Sequence, residues 1–289
     1  MNIVILGGTG FVGSYLRPFL TERGHQVSVF GRAAFADSFD LAGHLENQDL
    51  VISLSGENVG NRWSEAYKQA LIDSRVLTSE KLKTAIEACS NPPTRIFAAS
   101  AIGIYPENEC SNPIDESFDP FSVQDDRNFL ATLGQAWEQA NSKLTPQPVT
   151  LRFGVVLGKD GGALAKMLPP FKLGLGGPVA GGKQCFSWVH IHDLARAIEH
   201  LMDHPELTGA FNVTAPSPLS NRDFGQVLAT ELKRPFLIPL PLWQLKLMFG
   251  EGAQVLTYSS AILPKRLLDN GFVFKFSSAR AALQDILQS

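Results

Sequence analysis

The chain has 289 residues, 44% of them hydrophobic and 18% charged, with a formal net charge of −3. A single chain of this length can bury ~75% of the surface it exposes when unfolded, so one large domain, or one domain with a smaller appendage, needs no staple. With 25 Lys+Arg against 28 Asp+Glu there is no basic excess to draw nucleic acid or an anionic membrane, and no uncharged apolar run approaches the ~18 residues of a membrane span.

Met1-Asn2-Ile3-Val4-Ile5-Leu6 has no basic residue ahead of its apolar stretch and stops at Gly7-Gly8-Thr9-Gly10. It reads as a buried strand rather than a signal segment. A helix over 11–23 follows, with Leu16, Phe19 and Leu20 on one side, then a turn at Gly24-His25 and a strand over 26–30. After an ill-defined stretch, 49–54 reads as a strand and 64–88 as a long helix ending before Pro92-Pro93. Strand 95–99, helix 129–141 and strand 149–153 complete the alternation of βα units that marks a doubly wound parallel sheet. From Gly154 the texture changes. The stretch 158–182 is so rich in glycine and proline that it reads as a loop over a site. Residues 187–191 read as a short strand and 194–202 as a helix capped by Asp193. Cys89, Cys110 and Cys185 are odd in number and widely spaced, which predicts no disulfide framework and a reducing, cytoplasmic setting.

The chemistry-bearing signal is Gly7-Gly8-Thr9-Gly10-Phe11-Val12-Gly13, a GxxGxxG placed between a strand and a helix. A pyrophosphate must lie close to backbone there, which side chains would obstruct, and a helix N-terminus supplies N–H groups and positive dipole. At the end of the second strand, where an acid would bind a ribose 2′-hydroxyl, stand Gly31 and Arg32. An arginine pairs instead with a 2′-phosphate, so the expected cofactor is NADP(H).

Further segments carry a resemblance. They include Asp49-Leu50-Val51-Ile52-Ser53-Leu54-Ser55-Gly56-Glu57, Arg62-Trp63, Ser74-Arg75, Ser100-Ala101-Ile102-Gly103 and Trp137-Glu138. Arg152-Phe153-Gly154-Val155-Val156-Leu157-Gly158, Ser187-Trp188-Val189-His190-Ile191-His192-Asp193 and Gly209-Ala210-Phe211-Asn212-Val213-Thr214-Ala215-Pro216 continue the series. Over essentially its whole length the chain resembles the extended, epimerase-like branch of the short-chain dehydrogenase/reductases, and within it the NAD(P)-dependent epimerase/dehydratase family proteins. The resemblance implies a Rossmann-type cofactor domain over 1–157 with a return segment at about 187–213. It implies a smaller, discontinuous substrate domain from 158–186 and 214–289. It also implies cofactor contacts from Leu54, Ser55, Gly56, Arg75 and Val155, beside Gly7, Thr9, Gly10, Phe11, Val12, Gly13, Gly31 and Arg32.

Hydride chemistry in that superfamily uses a Tyr with a Lys four residues later. None of Tyr15, Tyr67, Tyr105 and Tyr258 has such a lysine, and the resemblance aligns Leu130 and Gly134 with the missing pair. Ser100, at a strand end, and Tyr105, in the loop beyond it, are the candidate catalytic hydroxyls. Asp115-Glu116 is a candidate acid pair, though adjacent carboxylates more often mark a solvated loop. His190-x-His192-Asp193 lacks a third ligand cluster, so no metal is expected.

Two functions stay open. One is an epimerase- or reductase-like enzyme for a small polar substrate, with a sugar-nucleotide held by Arg152 and Lys183 as a variant. The other is a non-catalytic NADP(H)-dependent sensor or scaffold. The expected partner is a small molecule, neither nucleic acid nor membrane, with a homodimer left open.

Overall fold

The computed structural model describes residues 1–123 and 128–288. Strand β1 (Asn2–Leu6) is followed by helix α1 (Phe11–Thr21), β2 (Gln26–Phe30), α2 (Leu41–Leu45) and β3 (Leu50–Ser53). Helix α3 (Glu65–Ala88) comes next, then β4 (Arg95–Ala101), α4 (Phe129–Asn141) and β5 (Val149–Phe153). Ser64 ends the chain's extended approach to α3 by accepting a hydrogen bond from Tyr67 N, the N-cap geometry expected of that residue. The second half contains β6 (Val155–Leu157), α5 (Gly162–Lys172), β7 (Cys185–Phe186), β8 (Trp188–His190) and α6 (Ile191–Asp203). It ends with β9 (Ala210–Val213), β10 (Leu219–Ser220), α7 (Asn221–Glu231), α8 (Leu242–Phe249), α9 (Gln254–Thr257), α10 (Lys265–Asp269) and α11 (Ala279–Gln288).

Six strands form one parallel sheet in the order β2-β1-β3-β4-β5-β9. The alternation within β1 shows why its run is apolar throughout. Ile3 and Ile5 face a core with Leu16 and Leu20 of α1 and Ile198 of α6, while Val4 and Leu6 face Leu82 and Ile86 of α3. A strand covered on both faces has no solvent side to make polar. The chain leaves β1 toward β2 on one side and places β3 on the other, so the strand order reverses at β1. Ligands of doubly wound sheets bind at such a switch point, outside the strands' carboxyl ends. A second core joins α5, α7 and α11 through Leu164, Phe171, Phe224, Leu228 and Leu283, around the fully buried Trp188.

Three expectations are corrected. The stretch 158–182 is not all loop, because α5 occupies 162–172 inside it. Its glycines flank the helix, and Leu164 and Phe171, seven residues apart, bury one face in the second core; this burial outweighs two prolines in the last turn. Asp193 does not cap α6. That place belongs to His190, whose ring accepts from His192 N, whereas fully buried Asp193 accepts from Lys275 N at 2.9 Å and Phe276 N at 2.7 Å. Finally, Cys110 and Cys185, 75 positions apart, are joined by a disulfide. Asn108 N donates to Ser259 O, and Cys185 O accepts from Ser260 N, so neighbouring residues of one segment bring the two cysteines together. Cys89 is free. Among the described residues, no helix is long and apolar enough to cross a membrane.

The glycines of the first turn differ in what they tolerate. A Cβ on Gly13 would lie 2.3 Å from Gly8 Cα, whereas one on Gly10 meets only Gly7 O at 3.4 Å. Gly13→Ala is therefore expected to push α1 off the loop and lower stability by about 1–3 kcal/mol, the usual cost of overpacking. Gly10→Ala should leave thermal unfolding nearly unchanged. Melting curves of the two variants against the parent chain measure the difference.

Candidate functional site

The glycine loop sits where β1 and β3 end side by side. Leu54 N donates to Leu6 O at 2.8 Å, and a Cβ on Gly7, which has φ +73°, would fall 2.8 Å from Ser55 N. The backbone of one strand end thus occupies the space a side chain at Gly7 would need. Above the loop, Gly10 is exposed and opens to free space, with Phe11 N-terminal in α1. The Ser55 hydroxyl is buried beside the loop with no hydrogen-bond partner. Buried polar atoms are rarely left so. An open glycine face, a helix N-terminus and an orphaned hydroxyl fit a bound dinucleotide. Thr9, Gly10 and Phe11 border open space beside the loop, Val12 is partly buried and Gly13 buried within α1, and Val155 stands at the start of β6.

The end of β2 is polar and exposed. The Arg32 side chain is 85% exposed and its Nη2 lies 2.8 Å from Glu57 Oε2. Gly31 packs on Thr9, whose Oγ1 would be 3.0 Å from a Cβ there. Arg75 is placed differently from Arg32. It is buried, its guanidinium stacks 4.7 Å from the Trp137 ring centroid, and it donates to Leu71 O at 3.0 Å and Glu57 O at 3.1 Å. A Cβ on Gly56 would lie 3.0 Å from its Cζ. Arg75 therefore props the Gly56–Glu57 turn from beneath, and loss of hydration lowers its pKa to about 10.

The two hydroxyls expected to face the cleft point inward instead. Ser100 Oγ donates to Glu138 Oε1 at 2.6 Å, and Arg152 grips the same carboxylate with Nε and Nη2, both at 2.8 Å. Arg152 Nη1 donates to the Tyr105 hydroxyl at 2.7 Å, which donates to Asn212 Oδ1 at 2.9 Å. Tyr105 is fully buried, and desolvation raises its pKa despite the adjacent guanidinium. A phenol with both hydrogen-bonding roles filled and no path to solvent is poorly placed for proton transfer. Arg152 is committed to this network and is not free to hold a phosphate. The acid pair also separates. Glu116 accepts from Asn212 N at 2.8 Å and Arg266 N at 3.3 Å, whereas Asp115 accepts from Ser117 N. Glu138, Asn212 and Glu116 were not legible as a cluster, since they come together only through three distant parts of the chain.

The face of α4 aligned with the missing Tyr-Lys pair is filled by the turn after β4. A Cβ on Gly134 would lie 2.8 Å from Ile104 Cβ, and a Cβ on Gly103 would lie 3.2 Å from Leu130 Cβ. The cleft has other walls. The Phe11 ring packs on Gly158, Gly161 and Gly162, and Lys166 of α5 donates to Gly60 O at 3.2 Å across the opening. Arg62 Nη1 donates to Leu247 O at 2.5 Å, and Trp63 N to Phe249 O at 3.3 Å, tying the 58–63 loop to α8. A groove of about 970 Å³ starts at Thr9, Gly10, Phe11 and Gly158 beside the glycine loop and extends to Tyr15, His192, Lys275 and Asp285. His190 stands at its base with its ring 4.0 Å from that of Phe276. No group of three or more metal-ligating side chains occurs among the described residues.

The model of the NAD dependent epimerase/dehydratase family matches residues 3–214, and that of a domain of unknown function, DUF1731, matches 240–286. The chain is 34% identical over 298 residues to the human epimerase family protein SDR39U1, covering 99% of this chain and 100% of that protein. It is 31% identical to the epimerase family protein YfhF of Bacillus subtilis, with 99% and 98% covered. A crystal structure of human SDR39U1 (isoform 2) with NADPH superposes with a TM-score of 0.89 at 32% identity, covering 100% of this chain and 99% of that one.

Removing Glu138 would strand Arg152 in the interior. Glu138→Ala is expected to cost about 3–5 kcal/mol, the penalty for unpairing a buried charge, and is read as a fall in melting temperature. His190 gives a pH dependence. Burial pushes its pKa down to about 4, below the ordinary 6.5, so the unfolded chain binds this proton first. The associated stability is complete above pH 6.5 and is lost as pH falls toward 4, about 2 kcal/mol of it between pH 7 and pH 5. Denaturant titrations at both pH values should show a smaller loss for His190→Gln than for the parent chain.

Proposed function

Because the chain belongs to the NAD dependent epimerase/dehydratase family, we propose that it binds NADP(H) across the β1–β3 switch point. One observation carries this reading: the exposed glycine turn beside the unpartnered, buried Ser55 hydroxyl. The NADPH in the human SDR39U1 crystal structure supports the choice of cofactor, as does the exposed Arg32 at the end of β2. Glycine backbone and the α1 N-terminus would take the pyrophosphate, and Arg32 the 2′-phosphate. Bound cofactor would supply or accept a hydride, and the cleft between α5 and the 58–63 loop would hold a small polar substrate.

The inward-facing Ser100 and Tyr105 favour a second reading. In it, cofactor binding orders the cleft walls and turnover is not the output, so the chain is an NADP(H)-dependent sensor or scaffold.

Calorimetric titration is expected to give tighter binding of NADPH than of NADH. Arg32→Asp should weaken NADPH about 10- to 100-fold, the worth of a charge-assisted bond, with little change for NADH. Equal affinities for the two cofactors would remove the 2′-phosphate role. NADPH oxidation across a panel of carbonyl metabolites separates the two readings. Turnover supports the enzyme, and tight binding without turnover supports the sensor.

A further inference from the structure

The net charge of −3 conceals a segregated distribution. Residues 161–183 and 232–250 contain six cations, Lys166, Lys172, Lys183, Lys233, Arg234 and Lys246, and no Asp or Glu. These 42 residues therefore carry +6, and the other 247 carry −9. The two segments are one surface. Gly176 bridges Phe236, Val179 bridges Leu240, and Ile238 N donates to Gly176 O. All six cations are exposed, and none is paired with a carboxylate among the described residues.

The same surface carries exposed apolar side chains. Leu173, Leu237, Leu247 and Trp243 are 75%, 78%, 71% and 65% exposed, with Leu175 and Ile238 exposed beside them. Helix α8 reads Leu-Trp-Gln-Leu-Lys-Leu-Met-Phe, yet Leu245 alone is buried, and Trp243 and Leu247 project from the opposite side. Large apolar side chains exposed together in this way mark contact sites for proteins or membranes.

We propose that this face, formed by the α5–β7 connection and the 232–250 segment, docks on an anionic lipid surface. Its apolar side chains enter the headgroup boundary while its lysines and arginine meet lipid phosphates. Charge selects this occupant over a second copy of the chain. A two-fold contact would set six cations against six with no acid within either segment, whereas an anionic bilayer complements them. A tryptophan among leucines with lysines at the margin suits the water–lipid boundary, where its ring and the long cationic stems each find a matching layer. Docking would bear on the cleft, because Lys166 and Leu247 belong to this face and hydrogen-bond to the 58–63 loop. The inference is independent of cofactor binding.

The chain carries its own reporter. Trp63, Trp137 and Trp188 are buried, so Trp243 alone among the four tryptophans meets solvent. The full-length protein is mixed with vesicles of phosphatidylserine and phosphatidylcholine, or of phosphatidylcholine alone, and followed by flotation and tryptophan emission. Expected are salt-sensitive flotation with the anionic vesicles and a blue shift that Trp243→Phe abolishes. The double variant Lys172→Gln/Lys246→Gln should bind about 25-fold more weakly, from roughly fivefold per lysine. Both substitutions alter exposed side chains, and unchanged NADPH affinity checks that the fold is intact. No flotation, equal flotation with neutral vesicles, or flotation without a blue shift would overturn the proposal. So would a dimer in sedimentation velocity that Leu247→Ser dissociates, which would assign the face to a second copy.

Discussion

Arg152 and Glu138 meet in the interior, on β5 and α4, through two hydrogen bonds of 2.8 Å. Burying such a pair costs hydration on both sides and is tolerated only where the remaining polar positions are also filled. Here they are. Glu138 takes a third donor from Ser100 on β4, Arg152 gives a third bond to Tyr105, and Tyr105 passes to Asn212 on β9. Glu116 and Leu263 then hold Asn212 from outside the sheet. Three adjacent strands, one helix and the segment leading to α10 thus share one polar network, and moving any member leaves another unsatisfied.

That network divides the molecule's chemistry. At the β1–β3 switch point the backbone is open and glycine-lined, and the Ser55 hydroxyl beside it has no partner, as a ligand site should be. Around Ser100 and Tyr105 the hydroxyls, the guanidinium and the carboxylate are all engaged by one another and by Asn212. Since the chain as a whole is acidic, the proposed attraction for an anionic dinucleotide would have to be local, from a helix N-terminus and Arg32. Arg75 contributes indirectly by supporting the turn that carries Glu57, the ion-pair partner of Arg32.

What could be read from the sequence was what local sterics decide. The glycine turn, the Ser64-capped helix and the double-sided apolar strands each depend on neighbours a few residues away, so their residue types announce them. What depended on distant partners was hidden. Tyr105 turns inward because of an arginine 47 positions later, and Cys110 finds Cys185 because both lie against the 259–261 segment. Helix α5 was concealed by flanking glycines that say nothing about the apolar face between them. The cationic, apolar face was averaged away, because a whole-chain charge cannot report how that charge is partitioned.

The contact between Gly134 and Ile104 bears on how this fold can change. A lysine at 134 has no room until the 102–104 turn moves, and that turn is also held against Leu130, where the tyrosine would stand. Two side chains and a backbone segment would have to change together, and either substitution alone costs packing without restoring a proton path. For a chain altered one residue at a time, a Tyr-Lys pair at these positions is therefore hard to reach. Whatever reactivity the protein has or acquires would then come from the opposite wall of the cleft, formed by α5 and the 58–63 loop.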